Sequence, residues 1–202
     1  MGWEADHPVV PLFHVCKQWN VLVAPLIYRH LCVSGFNCAE KLSLALDDGT
    51  KRGILVNPAV RSLDVNPPVS STTHALDILK KCSHLHTFDA RPASPSDLRW
   101  LESLAMPGGT LRILHVHLCF GSGWDGESLI SIGRLLTLNR LYVVVMPLNH
   151  MDATQFPAVD PWMLPDLVHL SVMCTKDGPG HGAFTKFIEQ CHFPSLRSVR
   201  LL

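Results

Sequence analysis

Neither sign of charge dominates this 202-residue chain, in which 17 lysines and arginines stand against 17 aspartates and glutamates. No run of basic residues breaks the balance, so the footprint of a nucleic-acid binder, or of a protein drawn to an anionic bilayer, is missing. Long apolar runs are lacking too. The longest, at 21–27 and 141–147, fall far short of the ~20 residues that span a membrane. Residues 1–11 carry Glu4 and Asp6 and lack the basic start and apolar stretch of a secretory leader. The seven cysteines include no CxxC pair, which argues against a zinc ribbon or a thioredoxin-type site. Buried free thiols in a reducing compartment are the expectation, and hence a soluble protein of the cytoplasm or nucleus. What the chain does have is apolar residues, at 47%, more than a disordered polypeptide carries.

Those residues are arranged with a long period. The pattern apolar-x-x-apolar-x-apolar recurs as Val60/Leu63/Val65, Leu85/Phe88/Ala90, Leu111/Leu114/Val116, Leu138/Leu141/Val143, Leu167/Leu170/Val172 and Leu196/Val199/Leu201. Central residues are spaced by 25, 26, 27, 29 and 29, and a weaker copy, Tyr28/Leu31/Val33, lies 32 residues before Leu63. Within each copy the last two apolar residues are two apart, so on a strand they point to the same side. A lone strand cannot bury that side, so neighbouring units must stack. The ~20 residues between copies leave room for the crossover that parallel strands require.

Helical patterns fill most of the gaps. Asn37 and Glu40 form a capping box before Cys38, Leu42, Ala45 and Leu46. Residues 72–82 place Ala75, Leu76, Leu79 and Cys82 on one stripe. Pro95 suits a helix start ahead of Leu98, Leu101, Leu104 and Ala105. Asp125 can cap a helix bearing Leu129, Ile132, Leu135 and Leu136, and Phe184, Phe187, Ile188 and Cys191 share a face further on. Residues 151–165 hold three prolines and no clear period, which predicts an irregular loop containing Trp162. Lys80 and Lys81 read as a solvated helix end.

Strand, loop and helix repeating every 25–29 residues are the leucine-rich-repeat signature, and Leu111-x-x-Leu114-x-Val116-x-x-Cys119 matches its full consensus. The expected architecture is therefore α/β: a leucine-rich-repeat solenoid with a parallel sheet on one face, helices on the other, and an N-terminal helical cap. Residues 1–27 would be the cap and 28–202 about seven degenerate units. The strands are expected at 28–34, 60–65, 85–90, 111–117, 138–145, 167–173 and 196–201. In the cap, Leu12, Val15, Trp19, Leu22 and Val23 form a helical stripe that Pro11 opens and Pro25 closes, with Trp19 buried against Leu22 and Val15.

The wording of the N-terminal segment, Val15-Cys16-Lys17-Gln18-Trp19-Asn20-Val21-Leu22 followed by Pro25-Leu26-Ile27-Tyr28-Arg29-His30, resembles the closing helix of an F-box. With Val60-Arg61-Ser62-Leu63-Asp64-Val65 and Leu85-His86-Thr87-Phe88, nearly the whole chain resembles the F-box-like leucine-rich-repeat proteins of mushroom-forming fungi. The resemblance implies a protein-interaction module, the substrate-recruiting part of an SCF-type ubiquitin ligase. It also implies that Val15, Cys16, Trp19 and Leu22 belong to the helix that docks on the Skp linker subunit when the F-box is complete. Residues 1–11 offer no counterpart to the Leu-Pro start and first helix of that motif, so the F-box is expected to be truncated.

Other motifs invite chemistry. Gly121-x-Gly123-x-x-Gly126 between a strand and a helix has the context of a dinucleotide fingerprint and supports the alternative of a small nucleotide-binding enzyme. The following strand, however, ends at Met146-Pro147 without an acidic residue for a ribose. A second glycine-rich loop at Gly178, Gly180 and Gly182 marks a recurrent turn instead. His115 and His117 share a strand face but need a third ligand to hold zinc, with only Asp89 and Tyr142 nearby. A triad of Asp89, His115 and Ser171 fails because Ser171 lies two strands from His115. No catalytic residue, metal or cofactor is therefore expected.

Alternation within each unit identifies the outward positions: Cys32, Asp64, Asp89, His115, Tyr142, Ser171 and Arg200 in the middle, flanked by Ser62, Asn66, Thr87, Arg91, His117, Arg140, His169 and Ser198. Acidic at one end and basic at the other, this strip is the expected surface for a polypeptide partner.

Overall fold

The computed structural model describes residues 17–34, 38–51, 59–66, 72–90, 104, 109–120, 127–147, 159–174 and 179–201. In chain order they form α1 (Lys17–Ile27), β1 (His30–Ser34), α2 (Cys38–Lys51), β2 (Ser62–Asn66), α3 (Thr72–Lys81) and β3 (Thr87–Ala90). There follow β4 (Ile113–Phe120), α4 (Glu127–Gly133), β5 (Arg140–Pro147), β6 (His169–Cys174), α5 (Pro179–Gln190) and β7 (Ser198–Leu201). The seven strands make one open sheet in the order of the chain, and every neighbouring pair is parallel.

The repeat spacing fixes the register. Leu31, Leu63, Phe88, Leu114, Leu141 and Leu170 are mutual partners across the sheet, and Val33, Val65, Ala90, Val116, Val143 and Val172 form the adjacent row. Both rows are buried, in one cluster with Leu42 and Leu46 of α2, Ile78 and Leu79 of α3, Leu129 and Ile132 of α4, and Phe184 and Phe187 of α5. The helices therefore cover one sheet face. Truncating Leu63, Leu114 or Leu141 in these rows to alanine should cost about 2–5 kcal/mol.

Each strand from β2 onward starts two residues later than the apolar pattern suggests, and in four units the first apolar residue closes a turn. The amides of Leu85, Leu138, Leu167 and Leu196 donate back to Cys82, Leu135, Leu164 and Phe193, three residues earlier. Just before the strands, one carbonyl per unit accepts two amides of the next. Arg29 O takes Arg61 and Ser62, Arg61 O takes His86 and Thr87, and the series continues through His86, Arg112, Asn139 and Val168. Side chains reinforce the joint. Arg61 donates to His84 O at 3.1 Å, Arg112 to Thr137 O at 2.9 Å, and Asn139 to Asp166 O at 3.3 Å. The hydroxyls of Thr110 and Thr137 reach Leu85 O at 2.8 Å and Leu111 O at 2.9 Å.

Several expectations need correction. Helix α1 exists, but Trp19 is 44% exposed and Leu22 66%, while Val23 is buried. At about 100° per residue, Trp19, Leu22 and Leu26 share one side and Val23 with Ile27 the neighbouring one. It is the second side that is covered. Trp19→Ala should accordingly leave the melting temperature almost unchanged, as measured by circular dichroism, because an exposed indole loses little packing. Pro25 lies inside α1, in its last turn, rather than ending it; its fixed φ suits a helix, at the cost of one hydrogen bond and of crowding by the ring. On α2, Ala39 and Ser43 join Leu42 and Leu46 inside, whereas Ala45 faces solvent. Leu136 is 55% exposed, beyond the end of α4. Leu104 packs on the core, but the rest of the helix expected after Pro95 lies outside the described residues, as do Pro11, Asn37 and Asp125.

Lys81 is not a solvated helix end. Its side chain is 18% exposed and sits between α2 and α3, 2.8 Å from Asp47 Oδ1 and 2.7 Å from Asp77 Oδ2. It also donates to Ser43 Oγ at 2.9 Å, and Ser43 in turn donates to Asp77. Burial works against the ammonium charge, but the hydrogen bonds and charges of Asp47 and Asp77 outweigh it and hold the pKa above its ordinary 10.5. A value raised by folding adds stability that is complete below the ordinary value and lost as pH climbs through the raised one. Lys81→Met should therefore cost about 1–3 kcal/mol at neutral pH. In urea melts that deficit against the parent should shrink above pH 10.5.

Of the irregular loop expected at 151–165, residues 159–165 are described, and they hold neither helix nor strand. Residues 162–164 run beside 191–193, with Met163 and His192 in a parallel bridge. Trp162 is buried, donates its indole N–H to Leu129 O at 2.7 Å, and meets Phe187 edge-on with ring centroids 5.1 Å apart. Trp162 thus joins the core cluster that also holds Leu129, Phe184 and Phe187.

Candidate functional site

The sheet face away from the helices carries the side chains that no core needs. Parallel pairing places Cys32 beside Asp64, Asp64 beside Asp89, Asp89 beside His115, His115 beside Tyr142, Tyr142 beside Ser171 and Ser171 beside Arg200. The row continues unbroken over seven strands. One row earlier lie His30, Ser62, Thr87, Ile113, Arg140, His169 and Ser198, and one row later His117, Val144 and Met173 sit side by side on β4 to β6. Asn66, on β2, pairs with Ser34 in that later row. The structure thus brings Asp64, Asp89, His115, Tyr142, Ser171 and Arg200 into one line, with Arg140 and His117 on its flanks. Arg91, Val15 and Cys16 lie outside the described residues.

Contacts along the line are polar and aromatic. Asp89 Oδ2 is 3.6 Å from His115 Nδ1, and the His115 ring packs on Tyr142 with centroids 4.2 Å apart. Cys32 Sγ approaches Asp64 Oδ2 at 3.9 Å, while Oδ1 of Asp64 is shielded from solvent and has no hydrogen-bond partner among the described residues. Like charges directly opposite on neighbouring strands destabilise a sheet. Asp64 beside Asp89 is therefore a feature that sheet stability does not explain.

No family model matches the chain, and no curated protein does. The chemistry open to the site has to be read from its own groups. Among the described residues no three His, Cys, Asp or Glu side chains come together as metal ligands. Burial pushes the Cys82 thiol up to about 12 and the Cys191 thiol up to about 11, in spite of nearby Lys81 and of the Trp162 amide. Neither is a thiolate nucleophile at neutral pH. Cys32, by contrast with the expectation of buried thiols, is exposed. The loop of Gly121, Gly123 and Gly126 lies outside the described residues. No described helix is long and apolar enough to cross a membrane.

Two hollows open at the basic end. The larger, about 900 Å³, follows the strand starts past Arg112, Asn139, Arg140, Asp166 and Arg197. Arg112 is committed there, to Thr137 O and to Asp166 at 3.8 Å. The smaller, about 260 Å³, lies on the exposed face over β6. Sequence reasoning missed both, along with the Arg61/Arg112/Asn139 and Thr110/Thr137 joints. Aligning the units would have shown the joints, since each set recurs at one place in the repeat.

Proposed function

We propose that this chain is a protein-interaction module of the leucine-rich-repeat type, its units stacked as a solenoid, with the exposed sheet face as its binding surface. The observation that carries the reading is the seven-strand row from Cys32 to Arg200, acidic at β2 and β3 and basic at β7. A polypeptide laid across it can match both ends, whereas a uniformly charged polymer cannot. The Asp64–Asp89 pair, costly to the free sheet, is explained if a cationic partner group neutralises it.

The resemblance to fungal F-box-like proteins extends the proposal to substrate recruitment for an SCF-type ubiquitin ligase in the cytoplasm or nucleus. Helix α1 supports that extension, since Trp19, Leu22 and Leu26 expose an apolar stripe of the kind a helical linker covers. Mixing the purified chain with purified Skp linker subunit tests the ligase half. Co-elution that Trp19→Ala abolishes would establish the ligase role in spite of the truncated F-box; no co-elution leaves a bare interaction module.

A further inference from the structure

The smaller hollow has a composition that the row alone does not reveal. Arg140, Tyr142, His169, Ser171, Ser198 and Arg200 line it, together with Leu170, and no carboxylate is among them. Arg140 and Tyr142 stand on β5, His169 and Ser171 on β6, Ser198 and Arg200 on β7, so the two arginines stand at opposite corners about the central strand. Arg61 and Arg112, by contrast, tie turns of successive units. Arg140 and Arg200 are both exposed, and among the described residues neither makes an ion pair. Strands β5 and β7 are roughly 10 Å apart, a gap that two extended arginine side chains close over β6.

We propose that this pocket receives the phosphoryl group of a phosphorylated side chain in an extended polypeptide partner. The inference rests on the exposed face being a protein-binding surface, and it names the chemistry of the partner. A phosphate monoester carries about −1.5 to −2 charges and three strong acceptor oxygens. That matches two permanent cations with forked donors and the hydroxyls of Tyr142, Ser171 and Ser198. A carboxylate would leave one guanidinium uncompensated and most of the donors unused. A nucleic-acid strand would bring further phosphates over Asp64 and Asp89, which repel them. The same row sets a spacing. From the midpoint of β2 and β3 to β6 is roughly 17 Å, so an extended partner places a Lys or Arg about five residues from its phosphorylated residue.

The test uses the full chain, immobilised, and two degenerate peptide libraries that differ only in a fixed phosphorylated or unmodified Ser, Thr or Tyr, together with a single-stranded RNA. Retention of the phosphorylated library at least tenfold above its twin is expected. Inorganic phosphate should compete, and the retained pool should be enriched in Lys or Arg about five positions from the phosphate. Arg140→Gln with Arg200→Gln should abolish the preference at an unchanged melting temperature. Equal retention of the two libraries overturns the inference but leaves the protein-binding face standing, provided Asp64→Lys with Asp89→Lys removes both. A preference that survives loss of both arginines, or retention of RNA in place of the peptides, also overturns it.

Discussion

Trp162→Ala is expected to remove about 3–5 kcal/mol of stability, the cost of emptying a large aromatic site. Small domains are stable by only about 5–15 kcal/mol, so the variant should melt far below the parent or fail to fold. The physical reason is that one side chain joins two helices. Its indole N–H donates to Leu129 O of α4, and its ring packs on Phe184 and Phe187 of α5. Trp162→Phe keeps much of the packing and loses the hydrogen bond, so it should fall between the two. The site can also be disturbed from the other side. A Cβ at Gly133 would lie 2.7 Å from Trp162 Cδ1, and Gly133→Ala should cost about 1–3 kcal/mol through overpacking. Urea denaturation of the three variants checks the order; a stable Trp162→Ala would contradict the packing described.

Asp64→Lys with Asp89→Lys is expected to weaken partner binding by ten- to a hundredfold or more while hardly moving the melting temperature. The two carboxylates face each other in register, so the folded sheet gains nothing from their juxtaposition. A partner cation placed between them would lose its counter-charges and meet two like charges, and mismatches of that kind cost several kcal/mol. Calorimetry of the captured partner against both proteins measures the change. Lys80→Glu, at an exposed position of α3, serves as the control that should leave affinity intact.

How far the molecule could be read in advance follows from the range of each interaction. The strands were legible because a period of two inside a period of 25–29 leaves no other way to bury Leu63, Phe88, Leu114 and Leu141. The whole line from Cys32 to Arg200 came with them, since register and alternation together decide which side chains share a face. The strand starts were displaced because Leu85, Leu138, Leu167 and Leu196 are apolar for the sake of a buried turn, and composition does not distinguish that from a strand. Trp19 misled because five apolar residues cover a wider arc than α1 buries. Trp162 and Lys81 were hidden for a different reason. Their partners, Leu129 and Asp47, lie 33 and 34 positions away in the chain, and no local period announces them. The pocket over β6 needs three strands before it exists at all.

The most direct test of the central claim is site-specific photo-crosslinking in cell extract, with p-benzoylphenylalanine in place of Tyr142 on the open face or of Leu44 on the exposed side of α2. If the sheet face is the binding surface, a discrete protein adduct forms from position 142, is diminished by Asp64→Lys with Asp89→Lys, and does not form from position 44. Adducts from position 44 but not from 142 would show that the helical side binds instead, and would contradict the account.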